Sequence, residues 1–302
     1  MKCVTTSRSK SWSGKGLADR HPPAGENTIV TWTQTIRASA AAETRRRAVP
    51  TIALWRVGVF VAGIALWALL SVSDVVPAGL LPSPFAVVVA LTEQLVTAEY
   101  WQAIGLTLWG AAVGLAAAAI VGIAVGLLTA GSSAAELSMR FVIDFGRAFP
   151  AVALIAVMVL ILGRGIELKA TLVFVAVVFL IIVQTQQGVR RIPPSIIETA
   201  RAFRTPRALL VRRVLLPSAA PSILTGLRLG ASVAVLVAIS TEVLSGSAGI
   251  GNRITDAQLG ANPPLAYAYI VTAGLLGFGV NVGLEKLQSA IVRWRPALDG
   301  ED

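Results

Sequence analysis

The chain has 302 residues, with 26 Lys and Arg against 16 Asp and Glu, a formal net charge of +10, yet only 14% of it is charged and 55% is hydrophobic; its mean hydropathy is +0.73. It is too apolar for a disordered basic protein, and too poor in charge for a soluble domain, where about a quarter of residues are charged. A nucleic-acid binder would spread Lys and Arg through its folded elements, and here long stretches have none, so the composition reads as an integral membrane protein with no nucleic-acid partner.

Residues 1–50 form the first compositional unit. It is rich in Ser, Thr, Arg and Lys and ends near Arg45-Arg46-Arg47. No apolar stretch precedes a small-residue cleavage site, so no cleaved signal peptide is read; the composition predicts a disordered cytoplasmic tail. Cys3 and His21, the only cysteine and histidine, both lie in this tail. An intrachain disulfide, a thiolate metal cluster and a multi-histidine metal site are therefore excluded. A Ser-His-Asp triad within the apolar region is excluded as well. There is no GxxxxGK phosphate loop followed by Ser or Thr. No catalytic residue and no metal site are predicted, and the chain is not expected to hydrolyse ATP itself.

From residue 51 the apolar runs begin, each judged against the ~20 residues that a helix needs to cross a bilayer. Six spans are predicted: Thr51–Val72, Ala103–Leu128, Ala148–Gly163, Ala170–Val183, Ile223–Leu244 and Pro264–Val282. Trp55 and Trp67 suit interfacial anchors on the first. The third is short, with Asp144, Arg147 and Pro150 before or inside it. The fold class is thus an all-α membrane protein of about six spans. The transmembrane domain runs over residues 51–295, and 296–302 form a short polar carboxy-terminal tail.

Orientation follows from Lys and Arg in the connections. Lys2, Arg8, Lys10, Lys15, Arg20, Arg37, Arg45, Arg46 and Arg47 precede the first span, and Ser73–Gln102 has none. Arg190, Arg191, Arg201, Arg204, Arg207, Arg212 and Arg213 crowd the connection between spans four and five, and Lys286, Arg293 and Arg295 follow span six. Both termini and the long fourth connection are therefore predicted to be cytoplasmic, in a multi-pass protein of the cell membrane. Arg164 and Lys169 then fall on the outside as a mild exception.

Gly110, Gly114, Ala118, Gly122 and Gly126 recur every four residues along the second span. Lipid gives little hydrophobic drive between helices, so close approach through small residues supplies the contact; the stripe predicts a tight seam. Gly274, Gly277 and Gly279, with Gly283 just past the end, make the last span similarly able to pack closely.

The Arg-rich connection, residues 190–221, reads as two short helices. Ser195 and Glu198 have the spacing of a capping box. Ile196, Ala200 and Phe203 fall on one apolar stripe. Thr205-Pro206 reads as a second helix start, with Leu209 and Leu210 on that helix, and Leu216-Pro217 as its end. Such a pair can lie on an anionic bilayer surface, pack on its own bundle, or insert its stripe into a groove on a soluble partner.

Glu198-Thr199-Ala200, three residues, position 204, then Val214-x-Leu216-Pro217 resembles the EAA motif, in outline EAA-x3-G-x9-I-x-LP, of permeases in binding-protein-dependent ABC importers. Pro221 to Arg228 is similar to the same family, as is Glu242-Val243-Leu244 followed by Gly249-Ile250-Gly251. Leu81-Pro82-Ser83-Pro84 and Gly163-Arg164-Gly165 resemble its nitrate, sulfonate and taurine branch. The resemblance covers about residues 51–295. Two positions depart from the motif: Thr199 stands at its second residue and Arg204 at its glycine. Positive φ is costly without glycine, so Arg204 predicts a different turn or an ordinary right-handed conformation.

The resemblance implies a permease subunit that imports a small solute, such as a sulfonate or nitrate. Glu198, Thr199, Ala200, Phe203, Arg204, Leu216 and Pro217 would form the loop coupled to separate ATPase subunits. Those subunits would bind ATP and Mg, while this chain binds no cofactor. An extracytoplasmic substrate-binding protein, a second permease copy in a homodimer and membrane lipid complete the implied partners. An ion-gradient-driven secondary transporter or a channel is the alternative. The candidates for a translocation path are Arg147, Arg228 and Glu242. Each has a plainer reading: Arg147 paired with Asp144 on one helix face, Arg228 snorkelling to headgroups, and Glu242 solvated near the outer interface.

Overall fold

The computed structural model describes residues 54–73, 80–131 and 133–291. The basic tail to residue 50, the start of the first predicted span and the segment 296–302 lie outside the described residues. Up to Ala65 the chain is one unit, and from Leu66 onward it is another. Every described element is helical. Five helices are long and apolar enough to cross a membrane, or six when one bent pair counts as a span.

The first helix, α1 (Leu54–Val72), is apolar apart from Arg56 near its start. Farther on, Trp67 donates from Nε1 to the Pro82 carbonyl at 3.1 Å, which anchors the segment leading into α2 (Pro84–Leu95). The sequence reading assigned no helix here. Ser83 and Pro84 start it: the Ser83 hydroxyl accepts from the Ala86 amide at 3.3 Å, and Pro84 sits where its missing N–H costs nothing.

Helix α3 (Ala98–Ala130) contains the second predicted span and exceeds it at both ends. The third predicted span is instead a broken element. Helix α4 (Ser133–Ala148) is followed by a 3₁₀ turn (Ala151–Leu154) and α5 (Ile155–Leu162), with a 75° bend between the two arms. Pro150 explains the break, since it has no N–H for the ladder and disfavours helical geometry at Phe149. Asp144 pairs with Arg140 at 3.8 Å, not with Arg147 as the spacing suggested.

Helix α6 (Ile166–Arg190) is the central element. It runs parallel to α3, and the predicted glycine stripe is the seam between them. A Cβ added at Gly114 would lie 2.6 Å from both the Ala170 carbonyl and Val173 Cβ; at Gly126 it would lie 2.6 Å from Thr185 Cβ. Gly114→Ala is therefore expected to lower stability by about 1–3 kcal/mol through overpacking. Gly105→Ala, where a Cβ meets nothing within 4 Å, is the matched control. Thermal unfolding of both purified variants checks the pair.

Helix α9 (Leu216–Ser245) packs antiparallel on the other side of α6: Gly188 sits against Ala219 and Ser222, Gly226 against Gln184, and Gly230 against Val177. Leu172, Val173, Val177, Ile181, Ala118 and Ala238 fill the core between α3, α6 and α9. Two further helices meet α3 at one end of the bundle. Helix α10 (Ile250–Leu259), which the sequence reading also missed, is held to α3 by Arg253–Glu99 at 3.1 Å. Helix α11 (Pro263–Ile291) is tied there by Tyr100 and Thr272, whose hydroxyls are 2.9 Å apart, and by Tyr269, which donates to Gln94 Oε1 at 2.9 Å.

The glycines of α11 lie open along the helix. A Cβ at Gly274, Gly277, Gly279 or Gly283 would meet nothing within 4 Å among the described residues. Small residues permit close approach without compelling it, and here the stripe opens a groove.

Candidate functional site

Between α6 and α9 the chain forms α7 (Pro194–Ala202), α8 (Arg207–Leu210) and a π turn (Val211–Leu215). Two helical pieces were expected, but their ends differ. Helix α7 begins at Pro194, so Ser195 lies inside its first turn and is not the residue that caps it; proline's fixed φ suits that first position. Helix α8 begins one residue later than predicted, with Pro206 in extended conformation before it. Leu216-Pro217 does not end the helix, which continues as α9. Pro217 lacks an N–H, and its ring crowds the Arg213 carbonyl in regular α geometry. The π turn immediately before it, where the Leu216 amide reaches back to Val211 O, lets the helix pass through the proline.

The loop has two faces. Leu215, Ala219 and Ile223 form a core with Val189 and Ile192, and Ile197, Leu210 and Val211 pack against it. The other face carries the predicted stripe: Ile196 is exposed, Ala200 is half-buried, and Phe203 is 81% exposed. Glu198, Thr199 and Arg204 are exposed as well. Thr199 donates its hydroxyl to the Ser195 carbonyl at 2.7 Å, so its side chain is folded back along α7.

Arg204 overturns the conformational expectation. Its φ is +49°, in the left-handed region. The Thr205 amide donates to the Ala200 carbonyl at 3.0 Å, which is the 6→1 bond of a Schellman cap. The turn that the family's motif fills with glycine is kept, and an arginine is held in it. That geometry costs a non-glycine residue about 1–2 kcal/mol. Arg204→Gly is expected to recover about 1 kcal/mol locally, slowing hydrogen exchange of the α7 cap amides about fivefold, which peptide-resolved exchange measures.

At the far end of the bundle lies a buried charge cluster. Glu242 is 0% exposed and Lys169 is 3% exposed. Lys169 Nζ is 2.9 Å from Glu242 Oε1 and donates to the carbonyls of Ala248 at 2.9 Å and Leu106 at 3.1 Å. The Thr107 hydroxyl lies 2.9 Å from each Glu242 oxygen and accepts from the Ile250 amide at 3.0 Å. The Gly251 amide donates to Glu242 Oε2 at 2.9 Å. A Cβ at Gly249 would strike the carboxylate, so this glycine is required for the turn to close over it. Five structural pieces meet here: α3, α6, α9, the turn at Gly249 and the start of α10. Lys169, read from sequence as an external loop charge, is interior, and Thr107 was missed entirely. The available signal was Lys169 and Glu242 themselves, ionisable residues bordering long apolar stretches of α6 and α9, where each needs a partner.

The three translocation candidates are not brought together. Glu242 is consumed by this cluster. Arg147 lines a small cavity of about 230 Å³ between α4 and α6 with Glu136, Arg140, Asp144, Gln186 and Arg190, where Arg190 pairs with Glu136. Arg228 lines a separate cleft of about 880 Å³ between α9 and α11, with Ser232, Leu236, Ile239, Gly274, Gly277, Phe278 and Asn281 among its walls. Among the described residues, no group of three or more His, Cys, Asp or Glu is placed to hold a metal ion.

Comparison with known proteins places these features in context. Residues 118–295 match the model of a family described as binding-protein-dependent transport system inner membrane component. An Escherichia coli K12 permease named for aliphatic sulfonates transport is 30% identical, over 78% of this chain and 89% of that protein. A bicarbonate transport system permease protein of Synechococcus elongatus is 31% identical, over 65% of this chain and 69% of that protein. The solved structure of the MetNI methionine ABC transporter, in an inward-facing conformation, shares the fold at a TM-score of 0.58 and 18% identity, over 64% of this chain and 96% of that one.

Proposed function

The chain belongs to the family of binding-protein-dependent transport system inner membrane components, and from that premise we propose that it is the membrane-spanning half of an ATP-driven importer, coupled to separate ATPase subunits through residues 194–217. The observation that carries the reading is Phe203, 81% exposed on a capped helix whose other face is anchored in the bundle. A side chain that large, held out by a rigid support, suits a groove on a soluble partner. Glu198, Thr199, Ala200 and Arg204 flank it on the docking side, and Leu216-Pro217 passes its motion directly into α9. ATP and Mg bind at the partner subunits. Closure of two such subunits moves two copies of the loop, and α9 carries that displacement into the bundle.

In this reading the termini and the loop face the cytoplasm, as the arginine bias requires. An external binding protein delivers the solute to the opposite end, where α2 and α10 lie. A second copy of the chain completes the pathway. The solute is a small anion, sulfonates being favoured by the relatives' names.

Reconstitution with the ATPase encoded beside the gene and its binding protein tests the reading. Uptake of a radiolabelled alkanesulfonate or bicarbonate is expected with ATP supplied to the loop side and the ion gradients collapsed. Uptake that survives ATP depletion and follows an imposed ion gradient identifies a secondary transporter instead.

A further inference from the structure

We propose that the cleft between α9 and α11 binds an organic anion bearing a short apolar tail, with the anionic head at Arg228. The inference deepens the importer reading and rests on it. The cleft is charged at one end and largely apolar along the rest. Arg228, Ser232 and Asn281 mark the polar end, whereas Leu236, Ile239, Gly274, Gly277 and Phe278 line most of the remainder; Ser240 also lies there, with its hydroxyl donating back to the Leu236 carbonyl at 2.9 Å. From Arg228 to Ile239 the wall runs about 16 Å along α9, long enough for a head and a few methylenes.

The guanidinium is held in place but is not saturated. Its closest carboxylate, the exposed Glu285, stands 3.8 Å from Nη1, outside hydrogen-bond distance. Arg228 Nε is buried with no hydrogen-bond partner, and so is Gln288 Oε1 beside it, although the Gln288 amide nitrogen donates to Thr225 at 3.2 Å. A buried donor without an acceptor is destabilising, and an oxyanion in the cleft would remove that penalty with a charge-assisted bond. Helix α11 leaves room for a tail, because a Cβ at Gly274 or Gly277 would meet nothing within 4 Å. The required chemistry is an oxyanion head and a small apolar body. A dissolved alkanesulfonate and an anionic phospholipid both supply it.

The test uses the full chain in phosphatidylcholine nanodiscs, with Cys3→Ser and Ser232→Cys, so that the only thiol reports from the polar end. Rates of modification by the anionic sulfonatoethyl and the cationic trimethylammonioethyl methanethiosulfonates are each divided by that reagent's rate with a free thiol. The anionic reagent is expected to be favoured about tenfold, as field focusing in a low-dielectric cleft allows. Arg228→Gln should bring the ratio to one, and Arg228→Lys should retain most of it. Butanesulfonate slowing the labelling identifies a dissolved anion as occupant, and slowing only by added phosphatidylglycerol identifies a lipid headgroup. A normalised ratio near one that Arg228→Gln leaves unchanged overturns the proposal, as does labelling that neither anion slows. The measurement needs no ATPase. A ratio of one alongside intact ATP-driven uptake therefore removes the anion site and leaves the importer reading standing.

Discussion

Replacing Glu242 with alanine is expected to destabilise the bundle by about 3–5 kcal/mol, the cost of leaving one member of a buried ion pair alone. The carboxylate is fully buried and is the common partner of Lys169, Thr107 and the Gly251 amide. Its removal strands a buried ammonium and opens the turn that launches α10. Lys169→Met alone should cost a similar amount, because it strands the carboxylate. The double variant Lys169→Met/Glu242→Leu should recover most of the loss, since replacing both charges with apolar groups removes both desolvation penalties. Thermal unfolding of the purified variants in detergent distinguishes the cases. Equal losses in both singles and a double variant no worse than either would confirm a coupled pair. Additive losses would show two independent residues. The pair also fastens α3, α6 and α9 together at the end of α9 opposite the α7–α8 loop.

Phe203→Asp is expected to abolish ATP-driven uptake and weaken ATPase association by at least 2 kcal/mol, about 30-fold, as loss of a buried aromatic anchor does. The fold should be untouched. Phe203 is 81% exposed and gives up little packing within its own chain, so the melting temperature should match wild type within about a degree, as surface substitutions do. Phe203→Leu, which keeps an apolar body, should fall between. Comparing affinity with melting temperature separates a docking residue from a structural one: a Phe203→Asp chain that melts early has lost internal packing, and one that transports normally has no docking role at Phe203.

How much of this was legible in the sequence depends on the kind of signal. The α3 stripe was, because a four-residue period of glycine and alanine fixes one helix face whatever that face meets. On α11 the same kind of residue gives only a capacity: Gly274 and Gly277 permit a seam and face open space within this chain. The loop between α6 and α9 was legible in outline, since Ile196, Ala200 and Phe203 share a face by spacing alone. Its details were not. Pro217 carries a local preference to end a helix, and a π turn overrides it. Arg204 carries a preference against positive φ, and the Schellman bond from Thr205 to Ala200 overrides that. In each case a neighbouring segment imposes geometry that the single residue would not choose. The Lys169–Glu242 pairing was not legible because its members are 73 residues apart in sequence, so each residue signalled the need for a partner without naming it, and charge counting assigned Lys169 to a loop. Helices α2 and α10 were missed for being too short to register as spans.

The most direct test of the coupling account is photocrosslinking from position 203, with benzoylphenylalanine in place of Phe203 in the full chain assembled with its ATPase subunits. The account predicts an adduct to the ATPase subunit whose yield changes when ATP and Mg are added. Crosslinking confined to lipid or to the chain's own helices, with no ATPase adduct in an active complex, would contradict it.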